Sequence, residues 1–156
     1  MNYHSYTYGD LSLSQVRERI SEYMKKETGP QYQVIIGTDS QQHNGSTDFV
    51  TAIVIHRIGH GGIYFWSRTI DQKRRVLKQR IFEEAAQSLT VAQGLMEEFK
   101  KNGILKMDFT IHVDVGQKGP TREMLSEVVA MIRSSGFDVK TKPDAYGASK
   151  VADRHT

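Results

Sequence analysis

The stretch Gln33-Val-Ile-Ile-Gly-Thr-Asp-Ser40 places three branched apolar residues before a carboxylate that is surrounded by small residues. Such a run is typical of a central strand with both faces covered, and Gly37 is predicted to end it. Asp39 is therefore predicted at or just past the carboxyl end of the strand. Ligands and metals bind at that edge in open α/β sheets, whereas Asp and Ser also begin ordinary turns.

The composition is that of one soluble globular domain. A chain of 156 residues with 38% hydrophobic and 25% charged residues can bury a full core. No stretch approaches the ~18 apolar residues of a membrane helix, and the N-terminal residues lack a secretory signal pattern. The absence of cysteine excludes disulfides and thiolate metal sites, and together these features predict a cytoplasmic protein. The net charge of +3 permits an anionic partner such as nucleic acid.

The hydrophobic periodicity predicts the element order α-βββ-α-β-α-β-α. Residues 1–11 are predicted to be a loosely tied terminus, followed by a helix that opens at Ser12 and stops at Gly29-Pro30. An antiparallel meander is predicted next, with strands at 33–36, 49–57 and 63–70 and polar turns at 41–48 and 60–62. The remaining predicted elements are a helix at 76–101, a strand at 109–115, a helix at 124–135, a strand at 137–142 and a terminal helix at 148–156.

Helical crossovers make the first, fourth and fifth strands parallel. The sequence therefore predicts a single α/β domain over residues 1–156, with a mixed five-stranded sheet of order 3-2-1-4-5 flanked by helices. Residues 1–30 form an N-terminal extension with an extra helix. In this topology Asp39 and Asp114 emerge side by side on strands ~4.8 Å apart. Two such carboxylates repel unless a cation lies between them, and oxygen ligands suit Mg²⁺ or Mn²⁺.

Two more carboxylates are candidates for the same site. Glu84 shares a helix face with Ile81 and Ser88 and is predicted to face the sheet, whereas Glu83 lies on the polar side. Asp153 falls in a helical turn that is reached directly from the last strand. The alternative is that Glu84 solubilises its helix and that Asp153 is an exposed terminal acid.

A basic segment precedes Glu84. The stretch Lys73-Arg-Arg-Val-Leu-Lys-Gln-Arg80 has five cations in eight positions, and a nuclease needs such charge to bind phosphates beside an acidic centre. The alternative is that these cations lie on the solvated start of a helix, and that Lys118 in the later Gly/Lys loop caps a turn. The candidate substrate-binding residues are Lys73, Arg74, Arg75, Lys78, Arg80 and Lys118.

The histidines and the aromatic run carry weaker signals. His112 and His155 lie near acids and are candidate ligands or proton carriers, although histidines at such positions are more often structural or solvated. Tyr64, Phe65 and Trp66 alternate on a predicted strand, and they fit the core and the sheet surface better than a base-stacking platform.

The order of these acids resembles the ribonuclease H-like superfamily: a strand Asp, a helical Glu, a second strand Asp and a late Asp in the context Ala-Ser-Lys-Val-Ala-Asp. More closely, the chain resembles the YkuK-type bacterial family of predicted RNase H-like nucleases, and the similarity covers nearly everything after the N-terminal helix. The segments that carry it are Ile36-Gly-Thr-Asp-Ser40, Glu84-x-x-x-Ser88-Leu89, His112-Val-Asp-Val-Gly116 and Lys142-Pro-Asp-Ala-Tyr-Gly-Ala-Ser-Lys-Val-Ala-Asp-Arg-His-Thr156.

The resemblance implies an RNase H-like fold and a nuclease that hydrolyses phosphodiester bonds of RNA or DNA. It implies two Mg²⁺ or Mn²⁺ ions, ~3.5–4 Å apart in the two-metal scheme. By position, Asp39 would bridge both ions, Glu84 and Asp114 would complete the shell of the first, and Asp153 would hold the second. Nucleic acid is the expected partner and a membrane is not, and a homo-oligomer is compatible with the sequence.

Two other functions are compatible with the sequence. One is a nucleic-acid-binding or scaffold domain that keeps the fold without catalysis. The other follows from Ile36-Gly-Thr-Asp39 and Val113-Asp-Val-Gly116, which are similar to phosphate loops of actin-like ATPases. Those enzymes need two such domains around the nucleotide, whereas this length provides one.

Overall fold

The computed structural model describes residues 2–116, 119–142, 151 and 155. This part of the chain contains seven strands and three α-helices. The helices are α1 (Leu13–Lys26), α2 (Leu77–Lys101) and α3 (Leu125–Ser134), the last preceded by a 3₁₀ turn at Arg122–Met124. The strands are β1 (Tyr3–Ser5), β2 (Gly9–Leu11), β3 (Tyr32–His43), β4 (Ser46–Arg57), β5 (Gly62–Asp71), β6 (Phe109–His112) and β7 (Asp138–Lys140).

The sheet is mixed, with the strand order β2-β1-β5-β4-β3-β6-β7. β3, β4 and β5 form the predicted antiparallel meander. β6 lies parallel to β3 and β7 lies parallel to β6, as helical crossovers require. The five predicted strands therefore keep their predicted order, and two further strands extend the sheet beyond β5.

The N-terminal residues belong to the sheet, so the prediction of a loosely tied terminus at residues 1–11 is wrong. β1 pairs with β2 and also with β5, through His4 and Trp66. Tyr3 and Leu11 are buried in the main core. Each of these strands is three residues long and buries one side chain. Such short strands leave no hydrophobic periodicity in the sequence.

β3 is longer than predicted. It continues past Gly37 to His43, and the predicted polar turn at 41–48 shrinks to the pair Asn44-Gly45, where Gly45 has a φ of 83°. A two-residue turn with a glycine at positive φ keeps both strands paired up to the turn itself. Asp39 therefore lies inside a strand and not at its end, which corrects the prediction.

β6 is shorter than predicted, because it ends at His112 and not at residue 115. Its parallel pairing with β3 ends at the pair Gly37 and His112, beyond which β3 remains paired with β4. Asp39 and Asp114 each lie two residues past this last pair. The predicted approach of two acids at one edge of the parallel pairing is therefore retained, although neither acid ends a strand.

α2 covers one face of the sheet with its apolar stripe. The buried apolar residues of α2 are Ile81, Ala85, Leu89, Val91, Ala92, Leu95 and Phe99.

None of the described helices is long and apolar enough to cross a membrane.

The opposite face of the sheet is packed differently. There Val50 and Ala52 are buried, with Trp66 and Val151 against them. The predicted terminal helix at 148–156 lies outside the described residues except for Val151 and His155.

Candidate functional site

The parallel pair β3 and β6 brings Asp39 and Asp114 to the same level of the sheet. Both carboxylates are half-buried. Because side chains alternate along a strand, Asp39 faces away from its neighbours Thr38 and Ser40, which point toward α2. The two aspartates are therefore accessible from the edge where β6 has ended.

Glu84 approaches the same level from α2, as its helix face predicted. Glu84 is only 7% exposed. The hydroxyl of Ser40 donates a hydrogen bond of 2.5 Å to Oε2 of Glu84. Arg80, one helical turn earlier, donates from Nε to the Ser40 hydroxyl at 3.0 Å and from Nη2 to the Ser40 carbonyl at 2.8 Å. Ser40 and Arg80 thus fix the position of the Glu84 carboxyl group.

A second polar contact ties α2 to the sheet one turn further along. The hydroxyl of Thr38 lies 2.7 Å from that of Ser88 and 2.8 Å from that of Thr51, and all three groups are buried. Side chains alternate between the two faces of the sheet along β3. Thr38 and Ser40 therefore follow Val34 and Ile36 on the face toward α2.

Burial and neighbouring negative charge disfavour the ionisation of Glu84. Burial, and then the charges of Asp39 and Asp114, raise the pKa of Glu84 from 4.5 to about 8, against the opposing effects of the Ser40 hydrogen bond and Arg80. Since both aspartates act on Glu84, the three carboxyl groups share one electrostatic environment. A cation among them would favour the ionised form of Glu84 and lower its pKa.

The donor set fits a hard divalent cation in chemistry, since all its ligands would be carboxylate oxygens. Among the described residues, however, no group of three or more histidine, aspartate and glutamate side chains is placed to hold a metal ion. Strand alternation directs Asp39 to the other face from the Ser40 and Glu84 pair, and Asp114 has a lysine partner. Side-chain rearrangement would have to accompany ion binding.

Lys142 is the partner of Asp114 and was not among the predicted site residues. Its Nζ lies 2.7 Å from Oδ1 of Asp114. The backbone of Lys142 is held by a hydrogen bond of 2.9 Å from its N–H to the carbonyl of Val115. A Cβ on Gly116 would lie 3.0 Å from Cβ of Lys142, so the glycine permits this close approach.

Replacing Lys142 with alanine is expected to tighten Mn²⁺ binding by up to about fivefold. The Lys142 ammonium lies where it competes with a cation for Asp114, and a half-exposed ion pair contributes roughly 0–1 kcal/mol. Calorimetric titration at low salt measures the change. Lys140→Ala is the matched control, because it removes the same charge from the neighbouring strand. Equal affinities in both variants would show that Lys142 does not compete at the site.

His112 is buried near the acids, whereas His155 lies against an aromatic side chain. Burial, and then the charge of Lys140, lower the pKa of His112 to about 4, so its ring is neutral at neutral pH. Its Nδ1 is buried without a hydrogen-bond partner in the described part of the chain. The ring of His155 stacks on Trp66 with centroids 3.8 Å apart. His155 is thus held by an aromatic contact.

The predicted basic segment divides into two groups. Arg75 contacts Asp71 through both Nη2, at 2.5 Å, and Nε, at 2.7 Å. Arg80 likewise uses Nε and Nη2 for its two bonds to Ser40, so both side chains have partners within the fold. The other three side chains, those of Lys73, Arg74 and Lys78, are exposed. The remaining candidates, Lys118 and Asp153, lie outside the described residues.

These features define a class of protein: an α/β domain with one aspartate on the central strand β3, a second two residues past the end of β6 and a buried glutamate on α2, all near the point where the central parallel pairing ends. The family described as Ribonuclease H-like matches residues 15–156, and the chain belongs to this family. The Bacillus subtilis (strain 168) protein named Uncharacterized protein YkuK is 31% identical over 161 residues, which cover 94% of this chain and 91% of that protein. The predicted resemblance to the YkuK-type family is thereby confirmed. No solved structure matches the chain.

Proposed function

We propose that this protein is a metal-dependent nuclease that hydrolyses phosphodiester bonds of RNA or DNA. The ligands of Mg²⁺ or Mn²⁺ are Asp39, Glu84 and Asp114, with Asp153 as the fourth carboxylate that the family resemblance supplies. The observation that carries the proposal is the placement of a buried Glu84, held by Ser40 of β3, beside Asp39 and Asp114 at the end of the parallel pairing. The pKa of Glu84 is raised by burial and then by the charges of both aspartates, which supports this proximity. Both aspartates disfavour the ionised form of Glu84 in a ribonuclease H-like fold, and a bound cation would offset this effect.

The residues around Glu84 prepare it for this role. Bound divalent ions supply activation of water and stabilisation of the charge that develops on the phosphate. Glu84 must be ionised to act as a ligand, and the Ser40 hydroxyl and the Arg80 guanidinium both favour its ionised form. Because Arg80 bonds to Ser40, which in turn bonds to Glu84, Arg80 is assigned as a positioning residue and not as a phosphate ligand.

Cleavage of a substrate panel tests the proposal. The wild-type protein with Mg²⁺ or Mn²⁺ is incubated with single-stranded RNA, single-stranded DNA, both duplexes and an RNA–DNA hybrid. We expect cleavage of at least one substrate, and none in the presence of a chelator. Failure to cleave any member of the panel with either metal would overturn the proposal.

The three exposed cations are expected to hold nucleic acid beside the acids. Changing Lys73, Arg74 and Lys78 together to glutamine should weaken binding and lower the slope of log affinity against log salt by about 2 to 3, since each phosphate contact contributes ~0.7–0.9. Fluorescence anisotropy at several salt concentrations measures the slope. The control changes Lys26, Lys100 and Lys101, three exposed lysines at helix ends, to glutamine. Equal slopes in the two triple variants would exclude the basic segment as the contact surface.

A specific observation favours the second candidate, a nucleic-acid-binding domain without catalysis. Lys142 already pairs with Asp114, and Glu84 is protonated at neutral pH without a cation, so the charges are partly balanced within the chain. Salt-sensitive binding that is unchanged by Asp39→Asn, together with no cleavage, would identify this function.

A further inference from the structure

A cluster of aromatic rings, called here the aromatic patch, lies on the sheet at some distance from the acids. It consists of Tyr6, Tyr64, Trp66 and His155. The ring centroids of Tyr6 and Trp66 are 5.2 Å apart, and those of Tyr6 and Tyr64 are 6.0 Å apart. Tyr6 lies in the turn between β1 and β2 and is 74% exposed. A large ring is therefore presented to solvent on top of other rings.

The aromatic patch lies on the same face of the sheet as Asp39. Phe65 is buried in the main core, so the alternating residues Tyr64, Trp66 and Arg68 point to the opposite face. Arg68 pairs with Val50, and Val50 pairs with Asp39. Arg68 and Asp39 thus stand in one row, two strand spacings or roughly 10 Å apart.

Arg68 supplies a cation beside the aromatic patch. It lies two residues beyond Trp66 on β5, which is about 7 Å along the strand. Its Nη2 forms an ion pair with the buried carboxylate of Asp48, while the residue itself is exposed. A guanidinium has five N–H donors, and a carboxylate uses only some of them. The pair with Asp48 therefore holds the side chain in place and leaves donors for an anion.

We propose that the aromatic patch and Arg68 bind an unpaired segment of nucleic acid and lead it toward Asp39. A base stacks on the exposed ring of Tyr6, and a neighbouring phosphate binds Arg68. Val151 packs on Val50, the residue between Arg68 and Asp39 in this row, so the bound strand passes beside that contact and not across it. This inference names the substrate class of the proposed nuclease, and it rests on the proposed function for its nucleic-acid partner.

The aromatic patch favours single strands over duplexes for a physical reason. Bases in a duplex stack on one another, whereas an unpaired base has a free face for an aromatic side chain. Such stacking tolerates any sequence, because every base has a π face. A single strand fits this surface. An unpaired base stacks on the exposed ring of Tyr6, a phosphate binds Arg68, and the backbone continues toward the acidic site.

The fluorescence of Trp66 provides a direct test, because it is the only tryptophan in the chain. A single strand of about 12 nucleotides, within the ~4–16 typical of such sites, is titrated into the protein in the presence of a chelator. A blunt duplex of the same sequence is titrated in parallel. We expect a change in Trp66 fluorescence and tighter binding with the single strand.

Substitutions locate the binding to the aromatic patch. Tyr6→Ala should weaken single-strand binding by roughly 5- to 100-fold, and Tyr6→Phe should retain it, because stacking needs the ring and not the hydroxyl. Arg68→Gln should lower the salt slope by about 0.7, the contribution of one phosphate contact to a single strand. Arg133→Gln, which removes an exposed arginine on α3, is the control. Thermal unfolding confirms that each variant is folded.

The outcomes separate this inference from the proposed function. Equal affinity for single strand and duplex, or unchanged binding by Tyr6→Ala, would overturn the role of the aromatic patch even if the protein cleaves nucleic acid. Single-strand binding that depends on Tyr6 without cleavage of any substrate would support the patch and contradict the nuclease. Loss of thermal stability in Tyr6→Ala with unchanged binding would show that the rings serve packing only.

Discussion

Replacing Glu84 with glutamine is expected to stabilise the metal-free protein at pH 8 by on the order of 3 kcal/mol. The pKa of Glu84 is about 8 in the folded protein against an ordinary value of 4.5. Between these values the folded state binds more protons than the unfolded state, so the free energy of unfolding falls as the pH rises. One pKa unit corresponds to about 1.4 kcal/mol, so the ionisation of Glu84 lowers the free energy of unfolding of the wild-type protein by several kcal/mol at pH 8. A neutral amide avoids this loss.

Urea unfolding of wild type and Glu84→Gln from pH 4 to pH 8 measures this effect. The stability of the two proteins should agree near pH 4 and diverge as the pH rises. His112 gives a slope of opposite sign, because its lowered pKa makes stability rise with pH between about 4 and 6.5. This contribution is present in both proteins and cancels in the difference. Glu83→Gln, on the adjacent polar side of α2, is the control and should follow wild type. A difference that does not grow with pH would refute the buried, protonated Glu84.

Replacing Asp39 with asparagine is expected to lower the rate of phosphodiester cleavage by about 1000-fold or more. Asp39 has a central place in the proposed site, because it lies on β3 next to Ser40, which bonds to Glu84, and two residues past the last pair of β3 with β6. The loss of a carboxylate ligand removes several kcal/mol of charge stabilisation in the transition state, and about 1.4 kcal/mol corresponds to a factor of ten. Single-turnover cleavage with saturating Mn²⁺ measures the rate.

Two controls accompany this measurement. Asp138→Asn changes an exposed acid on β7 and should cleave like wild type. The affinity of Asp39→Asn for nucleic acid should fall little, since the phosphate contacts are assigned to lysine and arginine. If Asp39→Asn retained wild-type cleavage, the carboxylate would have no part in the reaction.

The predicted topology is confirmed where long elements determine it. The meander and the helical crossovers follow from strands and helices whose periodicity is clear, and they place Asp39, Glu84 and Asp114 near one another. The errors fall at element ends and in short elements. β3 and β4 extend as far as Asn44-Gly45, because a tight turn needs only these two residues. β1 and β2 are too short to show a hydrophobic pattern.

The details of the site follow from contacts between residues far apart in the chain. The orientation of Glu84 was predictable from its helix face, but its bond to Ser40 depends on how α2 crosses β3. The pairing of Lys142 with Asp114 depends on the backbone contact between the segments after β6 and β7. Likewise, the two hydrogen bonds of Arg80 to Ser40 depend on how α2 crosses β3. A charge run in a sequence does not reveal such partners.

Calorimetric titration of Mn²⁺ at low salt into wild type, Asp39→Asn, Asp114→Asn and Asp138→Asn tests the central claim most directly. The claim is that Asp39 and Asp114 hold a divalent cation together with Glu84. We expect wild type and Asp138→Asn to bind equally and the other two variants to lose binding. Raising the pH from 6 to 8 should strengthen binding in wild type, because the pKa of Glu84 is about 8 and binding requires its ionised form. Equal binding by all four proteins would contradict the metal site and leave the non-catalytic binding domain as the function.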